Sequence, residues 1–183
     1  IWNTTQDLVI PADGGYDDVT IQTSTSCNGD FDVSGNWVNN ATFTSSASNT
    51  ITFNGASSQE ISGAAGVNNF ANLTLNNSNG LSLGDGTLGG DIFIDEVMKS
   101  TSGTFNLNGV DLVLKSTTAN KAGMIKLNAS SDFTSTMGNF TIQRYYNATS
   151  NGWRMVSAPI VGGDLQDYDD EFIYCGFSSG VGN

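Results

Sequence analysis

The sequence predicts an all-β protein, a right-handed parallel β-helix built as a solenoid of short strands. The main observation is an apolar-x-apolar motif, bracketed by Gly, Asn, Ser or Thr, that recurs along most of the chain. Alternating apolar residues are typical of a half-buried strand, and the Gly and Asn clusters between them are typical of turns. Strands this short become stable when successive coils stack and bury a continuous apolar column. The repeat therefore indicates a scaffold more clearly than an activity.

The repeating strands are predicted in residues 31–143, spaced about 8–12 residues apart. Three strands per turn give coils of about 22–30 residues, and hence about four or five coils. No segment keeps apolar residues at helical spacing, and residues 96–100 are predicted to hold one irregular turn at most. The motif stands at Ile51–Phe53, Leu73–Leu75, Leu81–Leu83, Ile92–Ile94, Phe105–Leu107, Leu112–Leu114 and Ile125–Leu127.

The two ends of the chain differ from this body. Residues 1–30 are predicted to form an N-terminal cap in which Trp2 covers the open end of the apolar column, because terminal repeats must shield it. Residues 144–183 are more aromatic and carry both arginines. They are interpreted as either a closing cap or the beginning of a second β domain. The absence of an initiating Met favours a mature or excised piece of a longer protein.

Composition excludes several functions. The chain has 18 acidic and 6 basic residues, a net charge of −12, and such a surface repels nucleic acid. No apolar run reaches the length of a membrane span, so no membrane insertion is expected. Histidine is absent, which removes Ser-His-Asp and Cys-His catalysis. Cys27 and Cys175 are predicted to lie at opposite ends of the solenoid as buried free thiols. We therefore expect no enzyme and no required cofactor.

One acidic run is a candidate Ca²⁺ site. A hard cation such as Ca²⁺ takes six to eight oxygen ligands on a flexible loop, and several neighbouring carboxylates can supply them. The spacing of an EF-hand is missing, so a solvated acidic turn is the alternative. The carboxylates are Asp164, Asp167, Asp169, Asp170 and Glu171.

Two further groups suggest polysaccharide chemistry. Paired carboxylates divide the acid and base roles in glycoside cleavage, and Asp30 and Asp32 share a face if they lie in one strand. Asp91 and Asp95 form another acidic group, but nothing in the sequence brings it to the same coil. Aromatic side chains stack on sugars, although at coil ends they more often serve as packing residues. The aromatic candidates are Trp37, Tyr145, Tyr146 and Trp153.

Asparagine is placed where the corners of the coils are predicted. Asn accepts left-handed backbone angles, and stacked Asn side chains form hydrogen-bonded ladders between coils. An ordinary turn residue explains the same positions. These residues are Asn54, Asn76, Asn77, Asn106, Asn108 and Asn128.

Five segments together resemble a known family. Phe53-Asn-Gly-Ala-Ser-Ser-Gln-Glu-Ile-Ser-Gly63 and the following Phe70-Ala-Asn-Leu-Thr-Leu-Asn-Asn77 are similar to repeats of Bacteroidetes surface proteins. Gly103-Thr-Phe-Asn-Leu-Asn-Gly109 resembles another unit of these proteins. Ile142-Gln-Arg-Tyr-Tyr146 and Gly152-Trp-Arg-Met-Val-Ser-Ala-Pro159 are similar to the segment that follows the repeats.

This resemblance implies a large adhesin-like protein exported by the type IX secretion system, in a family with several members tied to gliding motility. It implies a secreted or cell-surface location, the secretion machinery as a partner during export, and an extracellular surface or glycan as the ligand. The family motif defines no catalytic residue. The sequence thus predicts a stiff stalk that presents a binding region. The alternatives are a carbohydrate-binding or polysaccharide-cleaving β-helix and a passive spacer of a secretion cargo.

Overall fold

The fold is described from a computed structural model, for residues 2–4, 8–10, 15–46, 48–64, 67–84, 92–116, 123–128, 131–134 and 140–143. Within these residues the chain is all-β, without a helix, and its strands stack in parallel as a β-solenoid, as predicted. The strands are β1 (Trp2–Thr4), β2 (Leu8–Ile10), β3 (Gly15–Tyr16), β4 (Val19–Ile21), β5 (Thr25–Cys27), β6 (Phe31–Val33), β7 (Trp37–Asn39), β8 (Thr42–Ser45), β9 (Thr50–Phe53), β10 (Gln59–Ser62), β11 (Val67–Asn76), β12 (Leu81–Leu83), β13 (Ile92–Asn106), β14 (Leu112–Leu114), β15 (Met124–Leu127), β16 (Ser131–Thr134) and β17 (Phe140–Ile142).

Parallel pairing arranges these strands in three faces. Face one stacks β1, β4, β7, β10, β12, the last part of β13 and β16. Face two stacks β2, β5, β8, the first parts of β11 and β13, β14 and β17. Face three stacks β3, β6, β9, the last part of β11, the middle of β13 and β15. One coil consists of three strands in chain order, one from each face.

The coils change length along the chain. Paired residues of face one are 17 and 18 positions apart in the first two coils, which run through Trp2, Val19 and Trp37. From Trp37 onward the spacing is 22–28 positions, close to the predicted coil length. Coils 3 to 6 lie between Trp37 and Leu127, and β16 and β17 begin a seventh. Strands in residues 2–33 pair in register with these later coils, so the same three faces extend through them.

The sequence allowed one irregular turn at most in residues 96–100, and the structure has a strand there that the sequence did not reveal. Residues 97–100 are part of β13 and form its face-three strand, in register with residues 72–75 of β11. The sequence signal failed because corners in β11 and β13 are tight enough that strand pairing continues through them with only register shifts. Val97 and Lys99 point outward, which leaves only Met98 and Ser100 to mark the buried side. A strand with one apolar inward residue gives no period-two pattern.

Alternation along each short strand fills the interior. In β9, Ile51 and Phe53 are fully buried while Thr50 and Thr52 are partly exposed, and the same pattern recurs from coil to coil. Buried aromatic side chains concentrate in coils 2 to 4, around Trp37. The later coils use aliphatic residues such as Leu81, Leu83 and Ile92. Most of the strands thus contribute about two side chains to one continuous core, as expected of a stacked repeat, whereas Met124 and Leu127 of β15 are exposed.

Side-chain oxygens at the corners of face one hold the next coil. Asp18 Oδ1 accepts a hydrogen bond of 2.7 Å from the backbone N–H of Asn36. Asn36 Oδ1 in turn accepts one of 2.9 Å from the N–H of Glu60. At the start of face three, Asp30 Oδ1 accepts one of 2.7 Å from the N–H of Thr50. Corner Asp and Asn residues therefore satisfy backbone donors that strand pairing leaves unused.

Cys27 is a free, buried thiol on the inner side of β5, as predicted, and Cys175 lies outside the described residues. Burial raises the pKa of the Cys27 thiol above its ordinary range, and this outweighs the opposing hydrogen bonds from Ser46, Asn49 and Gly29. A raised folded-state pKa stabilises the fold below the unfolded-state pKa, and that stability is lost as the pH rises through the folded-state pKa.

We therefore expect the Cys27 thiol to resist a thiol-reactive dye at pH 8 in a Cys175→Ser variant and to react fully in urea. The free energy of unfolding of this variant should be constant around neutral pH and fall in alkaline solution, above about pH 8.5, where a solvated thiol ionises. A Cys27→Ala version of the same variant should lose this alkaline fall. Rapid native labelling at pH 8 would contradict the burial.

The chain divides into two compact units, residues 1–146 and residues 147–183. All described residues belong to the first unit. The interpretation of residues 144–183 as a cap or a second β domain therefore stays a prediction.

Candidate functional site

The corner that leads from face three to face one carries the motif on which the family resemblance depends. Gln59, at the start of β10, is 2 % exposed and its amide bonds to three successive corners. Its Oε1 accepts hydrogen bonds from Gly55 N–H at 2.8 Å and from Asn77 Nδ2 at 3.0 Å. Its Nε2 donates to the carbonyl oxygens of Val33 at 2.9 Å and Gly35 at 2.5 Å. Both polar atoms of the amide are thus fully used inside the protein.

Asn77 continues this internal network by one coil. Its Nδ2 also donates to the Ser57 carbonyl oxygen at 2.6 Å, and its Oδ1 accepts from the N–H of Asn79 at 2.8 Å. Asn77 is 1 % exposed, so these bonds satisfy an amide that has no access to water. The partner of Asn77 on the neighbouring corner is Gln59 and not another Asn, so the ladder of stacked Asn side chains stays a prediction.

The glycines of the motif are required by close approach of the backbone. A Cβ on Gly55 would overlap the carbonyl oxygen of Ser34 on the preceding corner. Gly63 has φ +133° and faces the carbonyl oxygen of Asn39 in the same way. An L-residue is strained at this φ whatever space is free. The apolar motif residues Phe53, Ile61 and Phe70 lie in the core, so the whole motif specifies the packing of one coil.

A second internal polar group was not anticipated from the sequence. Asn68, on the inner side of β11, is fully buried, and its Oδ1 accepts hydrogen bonds of 3.0 Å from both Trp37 Nε1 and Asn39 Nδ2. Asn39 Oδ1 accepts from the N–H of Ala41, and its Nδ2 also donates to the Val67 carbonyl oxygen. The Asn68 Nδ2 atom has no hydrogen-bond partner among the described residues. The only sequence signal was Asn at positions where strand alternation expects an apolar residue.

The paired carboxylates Asp30 and Asp32 are both exposed, and both bind the next coil. Asp30 accepts from the N–H of Thr50, and Asp32 Oδ2 accepts a bond of 2.9 Å from Asn54 Nδ2. Asp32 points outward from face three, whereas Asp95 follows the face-two part of β13. The structure therefore does not bring the two acidic groups to one face. Asp91 lies outside the described residues.

Trp37 is fully buried and lies 4.7 Å from Phe43, measured between ring centroids. A sugar-stacking role for Trp37 is therefore wrong, and the packing alternative is confirmed. The side chain is inward because Trp37 alternates with Val38 on β7, whose outer side faces solvent. The other aromatic candidates, Tyr145, Tyr146 and Trp153, lie outside the described residues.

A cluster on the outer side of face two joins coils 4, 5 and 6. Lys115 Nζ donates a hydrogen bond of 2.9 Å to Asn69 Oδ1 and lies 3.1 Å from Asp95 Oδ1. It also lies 5.3 Å from the centroid of the Phe93 ring. Asn69 pairs with Phe93 and Phe93 pairs with Val113, so strand register assembles the group. We call Asn69, Phe93, Asp95, Val113 and Lys115 the Lys115 cluster.

Water reaches the Lys115 cluster only in part. The Lys115 and Asp95 side chains are 22 % and 31 % exposed. Val113 is only 8 % exposed although strand alternation points it away from the core between Leu112 and Leu114. Sequence reasoning identified Asp95 as a candidate but missed Asn69 and Lys115, because they are 46 residues apart and meet only through coil register.

The candidate Ca²⁺ ligands at residues 164–171 lie outside the described residues, and the Ca²⁺ site stays a prediction. In the described part of the chain, no three Cys, Asp or Glu side chains come together in a way that could hold a metal ion. The same part contains no helix long and apolar enough to cross a membrane.

The fold thus defines the class of the chain as a parallel β-solenoid with three faces and internal polar corners. Comparisons with protein families, with curated proteins and with solved structures found no match for it.

Proposed function

We propose that this chain is a structural and adhesive module of a secreted cell-surface protein, a rigid stalk that presents a binding region. The observation that carries the proposal is the Gln59 network, since Gln59 of the most distinctive sequence motif joins successive corners. A motif that stabilises the stacking of coils contributes to the length and stiffness of the solenoid. Its resemblance to repeats of Bacteroidetes surface proteins supports the secreted location, type IX export and a role in gliding motility.

The carboxylates give further support to a binding module over an enzyme. Glycoside cleavage needs two carboxyl groups about 5–10 Å apart and facing one substrate. Asp30 and Asp32 are hydrogen-bonded to the next coil, and Asp95 is paired with Lys115 on another face. Each described candidate thus has a structural partner already. The ligand class we propose is an extracellular surface or glycan.

The proposal is tested by coating beads with the purified chain and measuring their attachment under flow to glass and to films of alginate, chitin and cellulose. We expect attachment above that of albumin-coated beads on at least one surface. A variant lacking residues 81–104 should attach to the same surfaces, because Phe105 replaces Leu81 in register. This deletion shortens the stalk by about 4.8 Å, the spacing of one strand.

Two results would contradict the proposal. Attachment no better than albumin on every surface would favour the passive spacer of a secretion cargo. Release of reducing ends from the polysaccharide films, lost in Asp30→Asn, Asp32→Asn or Asp95→Asn variants, would favour the polysaccharide-cleaving β-helix. Ser58→Ala serves as the matched control, because Ser58 is an exposed corner residue and its replacement leaves all three carboxylates in place.

A further inference from the structure

The Lys115 cluster brings an amine, an amide and a carboxylate together across three coils. Lys115 Nζ contacts Asn69 Oδ1 at 2.9 Å and Asp95 Oδ1 at 3.1 Å. The amide carbon of Asn69 is bonded to the contacted oxygen, so attack requires Nζ to move off this hydrogen bond and approach the carbon from one side of the amide plane. An attack distance of about 3–3.5 Å is the near-attack geometry from which such reactions proceed.

From this geometry we propose that Lys115 and Asn69 form an intramolecular isopeptide bond, with Asp95 transferring the protons. This concerns the covalent structure of the chain and does not depend on the proposed function. Lysine amines are effective nucleophiles when they are desolvated and deprotonated. A carboxylate within hydrogen-bond distance of the proton it removes is suited to act as the general base.

The steps balance without any co-reactant. Asp95 takes one proton from the Lys115 ammonium, and the neutral amine attacks Cγ of Asn69 to form a new N–C bond. Protonated Asp95 then returns a proton to the Asn69 nitrogen, and the C–N bond to that nitrogen breaks. The amide nitrogen leaves as ammonia, which takes up the proton released by the new amide. The products are a secondary amide between the two side chains and one ammonium ion.

The surroundings of the three groups hold them close together and partly shield them from water. Asp95 Oδ1 is a buried atom and accepts no aligned hydrogen bond among the described residues, so it is free to receive a proton from Nζ. Phe93 and Val113 lie beside the cluster on the same outer face and limit the access of water to it. Each reactive group also sits on a strand or directly after one, which fixes the approach.

The bond would lock coil 4 to coil 6 across coil 5. A solenoid coil contacts only its neighbours, so unravelling propagates from coil to coil. A covalent link that spans 46 residues stops this propagation at the linked coils.

The test is the intact mass of the purified chain. We expect it to be lower than the sequence mass by one ammonia molecule, and a protease digest to contain one branched peptide that joins Asn69 to Lys115. Lys115→Arg and Asn69→Ala should each abolish the loss, and Asp95→Asn should slow or abolish it. Lys99→Arg is the matched control, because Lys99 is exposed on face three and the variant should keep the full loss.

Asn-Gly sequences also lose ammonia when they form succinimides, and this chain has several, including Asn54-Gly55 and Asn79-Gly80. A loss that survives Lys115→Arg, or that hydroxylamine reverses, would come from a succinimide and would overturn the proposal. A wild-type mass equal to the sequence mass would overturn it as well. Loss of one water molecule would place the bond at Asp95 and overturn the assignment to Asn69. Formation at an unchanged rate in Asp95→Asn would overturn the role of Asp95.

Discussion

Replacement of Trp37 by alanine is expected to lower the free energy of unfolding by about 4 kcal/mol, within the range for large buried aromatic residues. Trp37 is fully buried, and its ring centroid lies 4.7–6.4 Å from those of Phe31, Phe43, Phe53 and Phe70. The loss combines the missing apolar contacts with a cavity that four surrounding coil strands cannot close. Urea unfolding, followed by circular dichroism, measures this loss in the free energy of unfolding.

Two controls separate packing from other effects. Trp37→Phe keeps most of the aromatic contacts but leaves Asn68 Oδ1 with Asn39 as its remaining donor, so we expect a smaller loss of about 1–3 kcal/mol. Val38→Ala alters the outer side of the same strand and should cost less than about 1 kcal/mol. Equal losses for Trp37→Ala and Val38→Ala would contradict a core centred on Trp37.

Replacement of Gln59 by leucine is expected to lower the free energy of unfolding by about 3 kcal/mol, because the new side chain fills the same space without hydrogen bonds. Gly55 N–H and the Gly35 carbonyl oxygen lose their side-chain partner inside a closed corner. The Val33 carbonyl oxygen keeps the N–H of Asn54, and Asn77 Nδ2 keeps the Ser57 carbonyl oxygen, so these two lose less.

The same urea titration tests whether Gln59 acts through the network. Asn77→Leu alone should also destabilise, and the double variant should lose less than the sum of the two, because Gln59 Oε1 and Asn77 Nδ2 bond to each other. Ser58→Ala, at the exposed neighbouring position, should be close to neutral. Additive losses for Gln59 and Asn77, or a Gln59→Leu variant as stable as the parent, would show that the corners hold without the network.

The Trp37 core and the Gln59 network show how the residues of the family-like motif are used. A sequence motif as distinctive as that of residues 53–63 invites a search for a binding or catalytic site. Its residues instead enter the core, the corners and a hydrogen-bond network that spans three coils. The features that remain on the outer surface, such as the Lys115 cluster, come from residues outside that motif. Outward side chains do not have to fill the core, so more residue types are compatible with the fold at these positions.

The sequence by itself determined the parallel solenoid, the positions of most strands and the burial of Cys27, because strand alternation and turn residues are local signals. It also placed Asn residues at the corners, whereas it did not reveal the face-three strand at residues 97–100, because alternation is weak there. Only the tertiary structure decided that Gln59 links three corners, that Trp37 and Asn68 meet inside, and that Asp32 and Asp95 occupy different faces. It alone brought Asn69 to Lys115. These facts depend on which residues of different coils stand in register, and register is set by corner lengths summed over many residues, which no local pattern contains.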